Sequence, residues 1–471
     1  MTVVAGVDSS TQSTKVEIRR IDDGEVVARG SAPHPAVSPP VSEADPADWW
    51  TAFESAWAQA TDGAGGVDGD PVGAISVGGQ QHGMVALDAD DRPVHPAKLW
   101  NDTESAADAD WLVGQLGGPD AWAGAVGTVP VAAITITKLS WLHRLHPDRF
   151  ARISRVLLPH DEITRRMTGR YVTDRGDASG TGYWSPATGE YRWDLLQIVD
   201  DSVDWPSVVP EVLGPTDVAG EWNGITVGPG TGDNMGAALG VGLRPGDAVI
   251  SVGTSGTVFA VADAPTADPS GFVAGFADAS GRYLPLVCTS NASKVLDTVR
   301  RLLGVDHEEF DELAISSAPG GPVLLPYLDG ERTPNRPDAA GVLGGLRTDV
   351  TREQFARAAV DGVVCGLLDG LDALQQHARV DGRLLLVGGG ARSAAIQRSL
   401  ASLVDLPVVR VLADEAVATG AAVQAAAVAG GEDVDDVIRR WGLGAGEAVR
   451  PIAGVDAADV RGRYAELRDR T

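Results

Sequence analysis

The hydrophobic and polar positions of the chain follow the same pattern in two places, about half a chain apart. In the first, an apolar run over residues 3–7 enters a turn rich in Ser and Thr and leaves as a second run over residues 15–18. In the second, residues 248–252 and 257–261 flank a turn of Ser, Thr and Gly. Runs of β-branched residues separated by small turn residues are typical of paired strands. The pattern therefore predicts two β-hairpins and two related halves of the protein.

Strands and helices alternate through the rest of the chain. Residues 45–57 predict a helix, since an Asp-Pro start is followed by Trp and Phe residues spaced to share one face. Further strands are predicted at residues 25–31, 72–77, 84–88, 97–101, 225–227, 383–387 and 408–411, and further helices within 104–168 and at 291–303, 351–378, 416–427 and 456–468. Strands and helices mixed in this way predict a duplicated α/β fold.

The length of the chain favours more than one hydrophobic core. A chain of 471 residues exceeds what a single core usually organises, so two domains are expected. We place the boundary near residue 225, which gives an N-terminal domain of residues 1–225 and a C-terminal domain of residues 226–471. The last predicted helix, 456–468, is expected to pack on one of these domains, and packing back on the N-terminal domain is one option.

Composition limits the classes of partner. A hydrophobic content of 44% with 22% charged residues is typical of a soluble globular protein. The chain has 38 basic and 65 acidic residues, a net charge of −27, which argues against nucleic acid or an anionic membrane as a partner, because both need a basic face. Cys288 and Cys365 lie in apolar segments, which suits thiols in a reducing cytoplasm. The sequence does not decide whether the two cysteines form a disulfide. It also does not decide whether the acidic composition reflects adaptation to high salt.

Both hairpin turns are small enough to surround a phosphate, because their residues let backbone N–H groups and hydroxyls close around an anion. The candidate phosphate-binding residues are Ser10, Thr11, Gln12, Ser13, Thr14 and Lys15 in the first turn and Gly253, Thr254, Ser255, Gly256 and Thr257 in the second. An ordinary hairpin is the alternative for either turn alone, and their pairing favours one nucleotide held by two domains. The sequence contains no G-x-x-x-x-G-K-[ST] motif and no complete dinucleotide-binding fingerprint.

Two carboxylates stand where predicted strands end. Asp8 lies beside the first turn, where a carboxylate suits Mg²⁺, directly or through water. Asp233 lies between a strand and a helix, and the glycines around it allow a substrate to come close. Asp233 is therefore the candidate general base. The structural alternatives are a turn cap for Asp8 and a helix N-cap for Asp233.

Two polar segments suit a sugar. Gln81 and His82 end a predicted strand and offer donors and acceptors for hydroxyl groups. Trp100, Asn101 and Asp102 combine an apolar plate with an amide and a carboxylate, so that C–H faces pack on the indole while hydroxyls pair with the polar groups. A lone His is more often structural, and the Trp-Asn-Asp segment by itself favours neither interpretation.

Taken together, these segments resemble those of the FGGY carbohydrate kinases over essentially the whole chain. The matching strings, in the family's order, are GVDSSTQSTK, GGQQHGM, LWND, LLPHDEITRRMTG, DASGTGYW, GTGDNMGAALGVG, SVGTSGTVFA, LPYLDGERTP and LLVGGGARS. An ordered series of this length is far more specific than any one of its members. The resemblance is closest to the branch of the family that phosphorylates D-xylulose.

The resemblance implies a fold and a set of roles. Each half would be a ribonuclease H-like α/β domain of the actin and hexokinase type, with ATP and sugar in an interdomain cleft. Asp233 resembles the family's catalytic base, and Asp8 resembles its Mg²⁺-associated carboxylate. The implied sugar-pocket residues are Gln81, His82, Trp100, Asn101, Asp102, Asp233 and Asn234, and the implied ATP contacts are the two turns together with Gly388, Gly389 and Gly390 beside adenosine.

The implied reaction transfers the γ-phosphoryl group of ATP to the 5-hydroxyl of D-xylulose in the cytoplasm. The alternatives are a kinase of the same family for another pentulose, a polyol or gluconate, and a non-catalytic nucleotide-binding protein of the actin or chaperone type. Gln81 departs from the family, in which a Met commonly precedes this His, and Glu331-Arg332-Thr333-Pro334 receives no chemistry. The expected partners are ATP and a small sugar, and a homodimer is left open.

Overall fold

The computed structural model describes residues 3–62, 71–317, 320–412 and 414–471. Within them the strands, β1 to β24 in chain order, are Val3–Ser9, Ser13–Arg20, Val26–Pro33, Glu43–Ala44, Val72–Gly79, Val85–Leu87, Ala97–Lys98, Arg155–Leu157, Val172–Asp174, Trp184–Ser185, Glu190–Tyr191, Glu211–Leu213, Gly220–Trp222, Ile225–Val227, Thr231–Gly232, Gly246–Val252, Gly256–Ala260, Ala274–Ala277, Tyr283–Thr289, Val323–Leu325, Val342–Gly344, Val380–Val387, Val408–Val411 and Gly446–Ala448. The helices, α1 to α17, are Pro46–Asp62, Ala106–Gln115, Pro119–Val126, Thr135–Leu145, Pro147–Phe150, Pro159–Thr168, Arg175–Ala178, Trp193–Val199, Trp205–Val208, Asp233–Gly240, Ser293–Leu303, His307–Ser316, Arg352–Gln375, Ala394–Leu403, Ala416–Gly430, Val434–Arg440 and Ala457–Arg470. None of the described helices is long and apolar enough to cross a membrane.

The chain folds into two compact units that interleave along the sequence. Unit 1 comprises Met1–Gly242, Asp263–Leu284 and Asp414–Leu443, and unit 2 comprises Leu243–Ala262, Pro285–Ala413 and Gly444–Thr471. This division differs from the predicted boundary at residue 225, because two later segments return to unit 1. Tertiary contacts decide that return, and local sequence patterns do not report them.

The sheet of unit 1 explains how distant residues come together. Its strands run in the order β13-β14-β5-β1-β2-β3, and β15 lies beside β5. β1 pairs with β2 as the predicted antiparallel hairpin. β5 runs parallel to β1, with Gly78 opposite Asp8, and β15 runs parallel to β5, with Gly232 opposite Gly79. Because parallel strands end at the same edge of a sheet, the residues that follow β1, β5 and β15 lie together there.

Small residues explain why Asp414–Leu443 belongs to unit 1. Helix α15 packs against α10 and against strands β1 and β5. Its buried face consists of Ala and Gly with few larger residues, so the helix axis comes close to the sheet. The helix predicted at residues 416–427 is confirmed, and its position in the fold follows from this close packing.

Unit 2 repeats the arrangement. β16 pairs with β17 as the second predicted antiparallel hairpin and with β22 in parallel, within the order β19-β17-β16-β22-β23-β24. The predicted α/β fold with a duplicated hairpin is therefore confirmed. Helix α17 packs against α13, α14 and β20, which all belong to unit 2.

Candidate active site

The first turn, between β1 and β2, is closed by its own polar groups. The backbone N–H and the hydroxyl of Ser10 both donate to the carbonyl oxygen of Ser13, at 3.1 and 3.2 Å. The Thr14 hydroxyl lies 3.2 Å from the hydroxyl of Ser9 and 2.8 Å from Nε2 of His34. His34 is thus a part of this turn that the sequence did not indicate, since 20 residues separate it from Thr14.

Thr11 joins the turn to the candidate sugar pocket. Its hydroxyl donates to Oε1 of Gln80 at 3.2 Å and accepts from the indole N–H of Trp100 at 3.0 Å. Two elements that are distant in sequence therefore meet at one hydroxyl.

Asp8 is a buried carboxylate at the end of β1, and its Oδ1 atom has no hydrogen-bond partner within the protein. Burial raises the pKa of Asp8 to about 7, Lys15 lowers it, and Asp233 and Glu415 raise it further. The Lys15 ammonium is also bound to Glu415, at 2.6 Å. An unpartnered carboxylate oxygen near other carboxylates fits the oxygen-rich environment that Mg²⁺ prefers.

Asp233 is the first residue of α10, and Gly232 holds the N-cap position. The alternative of Asp233 as the N-cap is therefore wrong. Burial raises the pKa of Asp233 to about 6, against the lowering effect of backbone N–H groups at Asn234 and at Asp233 itself. A carboxyl with this pKa is ionised at neutral pH and basic enough to take a proton from an alcohol in a transition state.

Asn234 connects the candidate base to the sugar pocket. Its Nδ2 atom donates to Oδ1 of Asp233 at 3.0 Å and to Oε1 of Gln81 at 2.8 Å. The amide nitrogen of Gln81 is buried without a protein partner. Gln81 is thus oriented by one end of its amide and offers the other end as a donor.

His82 has its backbone in the left-handed region, with φ 64°. Its carbonyl oxygen accepts from the Thr135 hydroxyl at 3.1 Å, and its ring packs on Phe276 with 5.3 Å between centroids. Burial, and then the charge of Lys138, lower the pKa of His82 to about 3, so the ring is neutral at pH 7. Its Nδ1 atom is buried and has no protein partner. A neutral imidazole suits a hydroxyl ligand better than a phosphate.

Asn101 and Asp102 differ sharply in their surroundings. Oδ1 of Asn101 is buried without a protein partner, as expected of a pocket residue. The Asp102 carboxylate instead binds the Lys98 ammonium at 2.8 Å and accepts backbone N–H groups of Ser42 and Glu104. Both of its oxygens are engaged by protein donors, so Asp102 supports the loop that carries Asn101, and its role toward a sugar stays a prediction.

Lys98 also explains an acidic cluster on this side of unit 1. Carboxylate oxygens of Glu43, Asp102 and Glu104 lie close enough together to bind a cation. The Lys98 ammonium already contacts all three, at 3.1, 2.8 and 2.6 Å. The cluster is therefore an internal ion network.

In unit 2 the second turn and the three glycines lie together. Gly253 donates its N–H to the Ser255 carbonyl at 2.9 Å within the turn. Gly388 has φ 89° and packs against the backbone of Val252, where a Cβ would come within 2.7 Å of the carbonyl oxygen. The structure thus brings residues 388–390 against the strand that enters the turn.

Glu331, which received no role from the sequence, stabilises the second turn from behind. Its carboxylate accepts the backbone N–H of Ser290 and the side-chain amide of Asn291 at 2.9 Å. The next two residues, Ala292 and Ser293, donate their N–H groups to the carbonyls of Thr254 and Gly253. The signal in the sequence was the conspicuous Glu-Arg-Thr-Pro string, but its partner lies 40 residues away.

Comparison with known proteins places these observations in a family. The models for the N-terminal and C-terminal domains of the FGGY family of carbohydrate kinases match residues 3–240 and 248–429. Xylulose kinases of Streptomyces coelicolor and Streptomyces rubiginosus are 48% and 46% identical, over 96% of this chain and 93% of each relative. The crystal structure of xylulose kinase from Bifidobacterium adolescentis matches with a TM-score of 0.86 and 40% identity, over 99% of both chains.

Proposed function

Since this chain belongs to the FGGY family of carbohydrate kinases, we propose that it transfers the γ-phosphoryl group of ATP to the 5-hydroxyl of D-xylulose. The products are D-xylulose 5-phosphate and ADP. The observation that carries the proposal is the meeting, at one edge of the unit 1 sheet, of Asp8, Asp233 and the unpartnered polar atoms of Gln81 and His82. The names of the most similar relatives support D-xylulose as the acceptor.

Asp233 is the proposed general base. Phosphoryl transfer has a loose transition state, so positioning and charge neutralisation contribute more than early proton transfer. Asp233 orients the 5-hydroxyl and accepts its proton as the new O–P bond forms. Asp8 is the residue that would hold Mg²⁺, whose chemistry there is to neutralise charge on the phosphate oxygens.

The remaining residues divide between the two substrates. Gln81, His82, Trp100, Asn101 and Asn234 bind the sugar. The first turn, residues 10–15, and the second turn, residues 253–257, bind the phosphates of ATP, and residues 388–390 lie beside adenosine. Asp102 keeps Trp100 and Asn101 in place through its bond to Lys98.

A panel of acceptors tests the proposal. ADP release would be measured with ATP and Mg²⁺ for D-xylulose, D-ribulose, glycerol and gluconate, and the phosphorylated position determined by NMR. We expect the highest kcat/KM for D-xylulose, with phosphate on O5. A higher value for another acceptor would replace the substrate, and no acceptor-dependent ADP release would favour a non-catalytic nucleotide-binding protein.

The setting of the reaction is also part of the proposal. Because the reaction consumes ATP and a free sugar, we place the protein in the cytoplasm. A homodimer is the proposed assembly, and light scattering on the purified chain tests it.

A further inference from the structure

Behind the proposed sugar pocket lies a histidine surrounded by three carboxylates. Nε2 of His160, at the start of α6, is 3.1 Å from Asp174 Oδ1, 3.3 Å from Asp161 Oδ1 and 3.5 Å from Asp177 Oδ2. All four side chains are almost completely buried. Burial lowers the pKa of His160, but the three carboxylates outweigh burial and raise it to about 9. A protonated ring therefore balances part of the buried negative charge.

Asp177 connects this cluster to the pocket. Its Oδ1 atom accepts the backbone N–H of His82 at 3.3 Å, while Oδ2 faces the His160 ring. The left-handed backbone of His82 is uncommon for a residue other than Gly and persists only where its surroundings hold it. Asp174 in turn caps α7 by accepting the N–H groups of Gly176 and Asp177. The position of Asp177 is thus set from two sides.

The His160 side chain also supports both segments that carry the proposed ligands. A Cβ on Gly79 would come within 2.9 Å of the Cβ of His160, and a Cβ on Gly230 within 2.6 Å of its Nδ1. Gly79 directly precedes the Gln80–His82 segment, and Gly230 lies three residues before Asp233. Both segments therefore pack directly against His160, the Gly79 segment on its backbone and Cβ and the Gly230 segment on its imidazole ring.

We propose that His160 and Asp177 are positioning residues for sugar binding and phosphoryl transfer, fixing the His82 backbone and the segment that leads to Asp233. Neither residue is among the proposed ligands of the sugar. The inference rests on the proposed function. Its specific consequence is that substitutions in the cluster raise the KM for the sugar and leave the KM for ATP unchanged.

The first test compares Asp177→Ala with Asp177→Asn. The Ala variant leaves the buried His82 N–H without an acceptor, whereas the Asn variant keeps an oxygen at that position. We expect the KM for D-xylulose to rise about tenfold or more in Asp177→Ala and distinctly less in Asp177→Asn, since an unpaired buried donor is costly. The KM for ATP should stay within about twofold in both, because the cluster packs on the segments that carry the proposed sugar ligands.

Asp108→Ala is the matched control. Asp108 is an equally buried aspartate of unit 1 that binds Ser140 and Arg144, away from the proposed pocket. We expect it to lower the melting temperature without raising the KM for D-xylulose. If it raises that KM as much as Asp177→Ala does, or if Asp177→Ala raises both KM values equally, the cluster is merely structural and the inference is overturned.

His160→Gln keeps the inference testable if Asp177→Ala does not fold. Folding would be checked by circular dichroism and ADP binding by calorimetry. A higher KM for D-xylulose with unchanged ADP affinity supports the inference, and unchanged sugar kinetics overturn it. If the wild-type protein prefers another acceptor, only the proposed substrate is overturned. The same variants would then be tested with that acceptor, and the inference about the cluster would stand or fall on those KM values.

Discussion

Trp100 donates its indole N–H to the hydroxyl of Thr11 at 3.0 Å, which joins the proposed sugar platform to the first phosphate turn. Two residues for which we propose contacts with different substrates are therefore in contact with each other. We therefore expect changes at this bond to affect both proposed sites.

We expect Trp100→Phe and Thr11→Val to raise the KM values for both substrates. Each variant breaks the bond between Trp100 and Thr11, worth about 1 kcal/mol. Thr11→Val also removes the bond to Gln80, and Trp100→Phe also reduces the plate on which we propose that the sugar packs. The KM for ATP should rise about fivefold in both. Thr11→Ser, which keeps the hydroxyl, is the control, and a KM for ATP unaffected in both variants would disprove the coupling.

Asp233→Ala should lower kcat by roughly 10²–10⁴-fold while leaving ATP binding near normal, because it removes the general base. Steady-state kinetics and calorimetry with ATP measure the two effects. Asp435→Ala is the control, since Asp435 also lies in the first turn of a helix but pairs with Arg282 away from the proposed pocket. Retention of more than about a tenth of wild-type turnover would rule out the assignment.

The raised pKa of Asp233 predicts the acid side of the pH profile. With a pKa of about 6 the base is ionised above pH 6 and protonated below it, so kcat/KM for the sugar should fall as pH drops through about 6. An unperturbed Asp would keep the activity down to a pH near 4. A profile flat between pH 7 and pH 5 contradicts this role.

Asp8→Asn should raise the Mg²⁺ concentration needed for half-maximal activity, because the amide removes the charge that attracts the cation. We expect a shift of about tenfold or more, measured by Mg²⁺ titration at saturating ATP and sugar. The neutral side chain also relieves the cost of burying a carboxylate. The melting temperature should therefore not fall, which separates the effect from unfolding.

Glu331→Ala should raise the KM for ATP and leave the KM for D-xylulose unchanged, because Glu331 supports the second turn through Asn291 and the residues after it. Glu331→Gln keeps one acceptor oxygen, so its KM for ATP should lie between those of the wild type and of Glu331→Ala. An equal rise in the KM values for ATP and D-xylulose would show that Glu331 contributes to stability alone.

The two hairpins were predictable from the sequence because a strand, a small turn and a second strand are decided by residues next to each other. Asp8 and Asp233 could be singled out for the same reason, since Asp8 stands at the end of a strand and Asp233 directly after one. The pairing of Asn234 with Gln81, 153 residues away, had no such local signal. The strand register of β5 and β15 brings these two together.

The sequence by itself determined the alternation of elements, the two turns and the chemistry available at the strand ends. Only the tertiary structure decided that Asp102 binds Lys98, that α15 returns to the first sheet and that His160 packs against Gly79 and Gly230. The physical reason is the sequence separation over which each effect acts. Turn chemistry and periodicity depend on residues a few positions apart, whereas the partners of buried charges depend on how the whole unit packs.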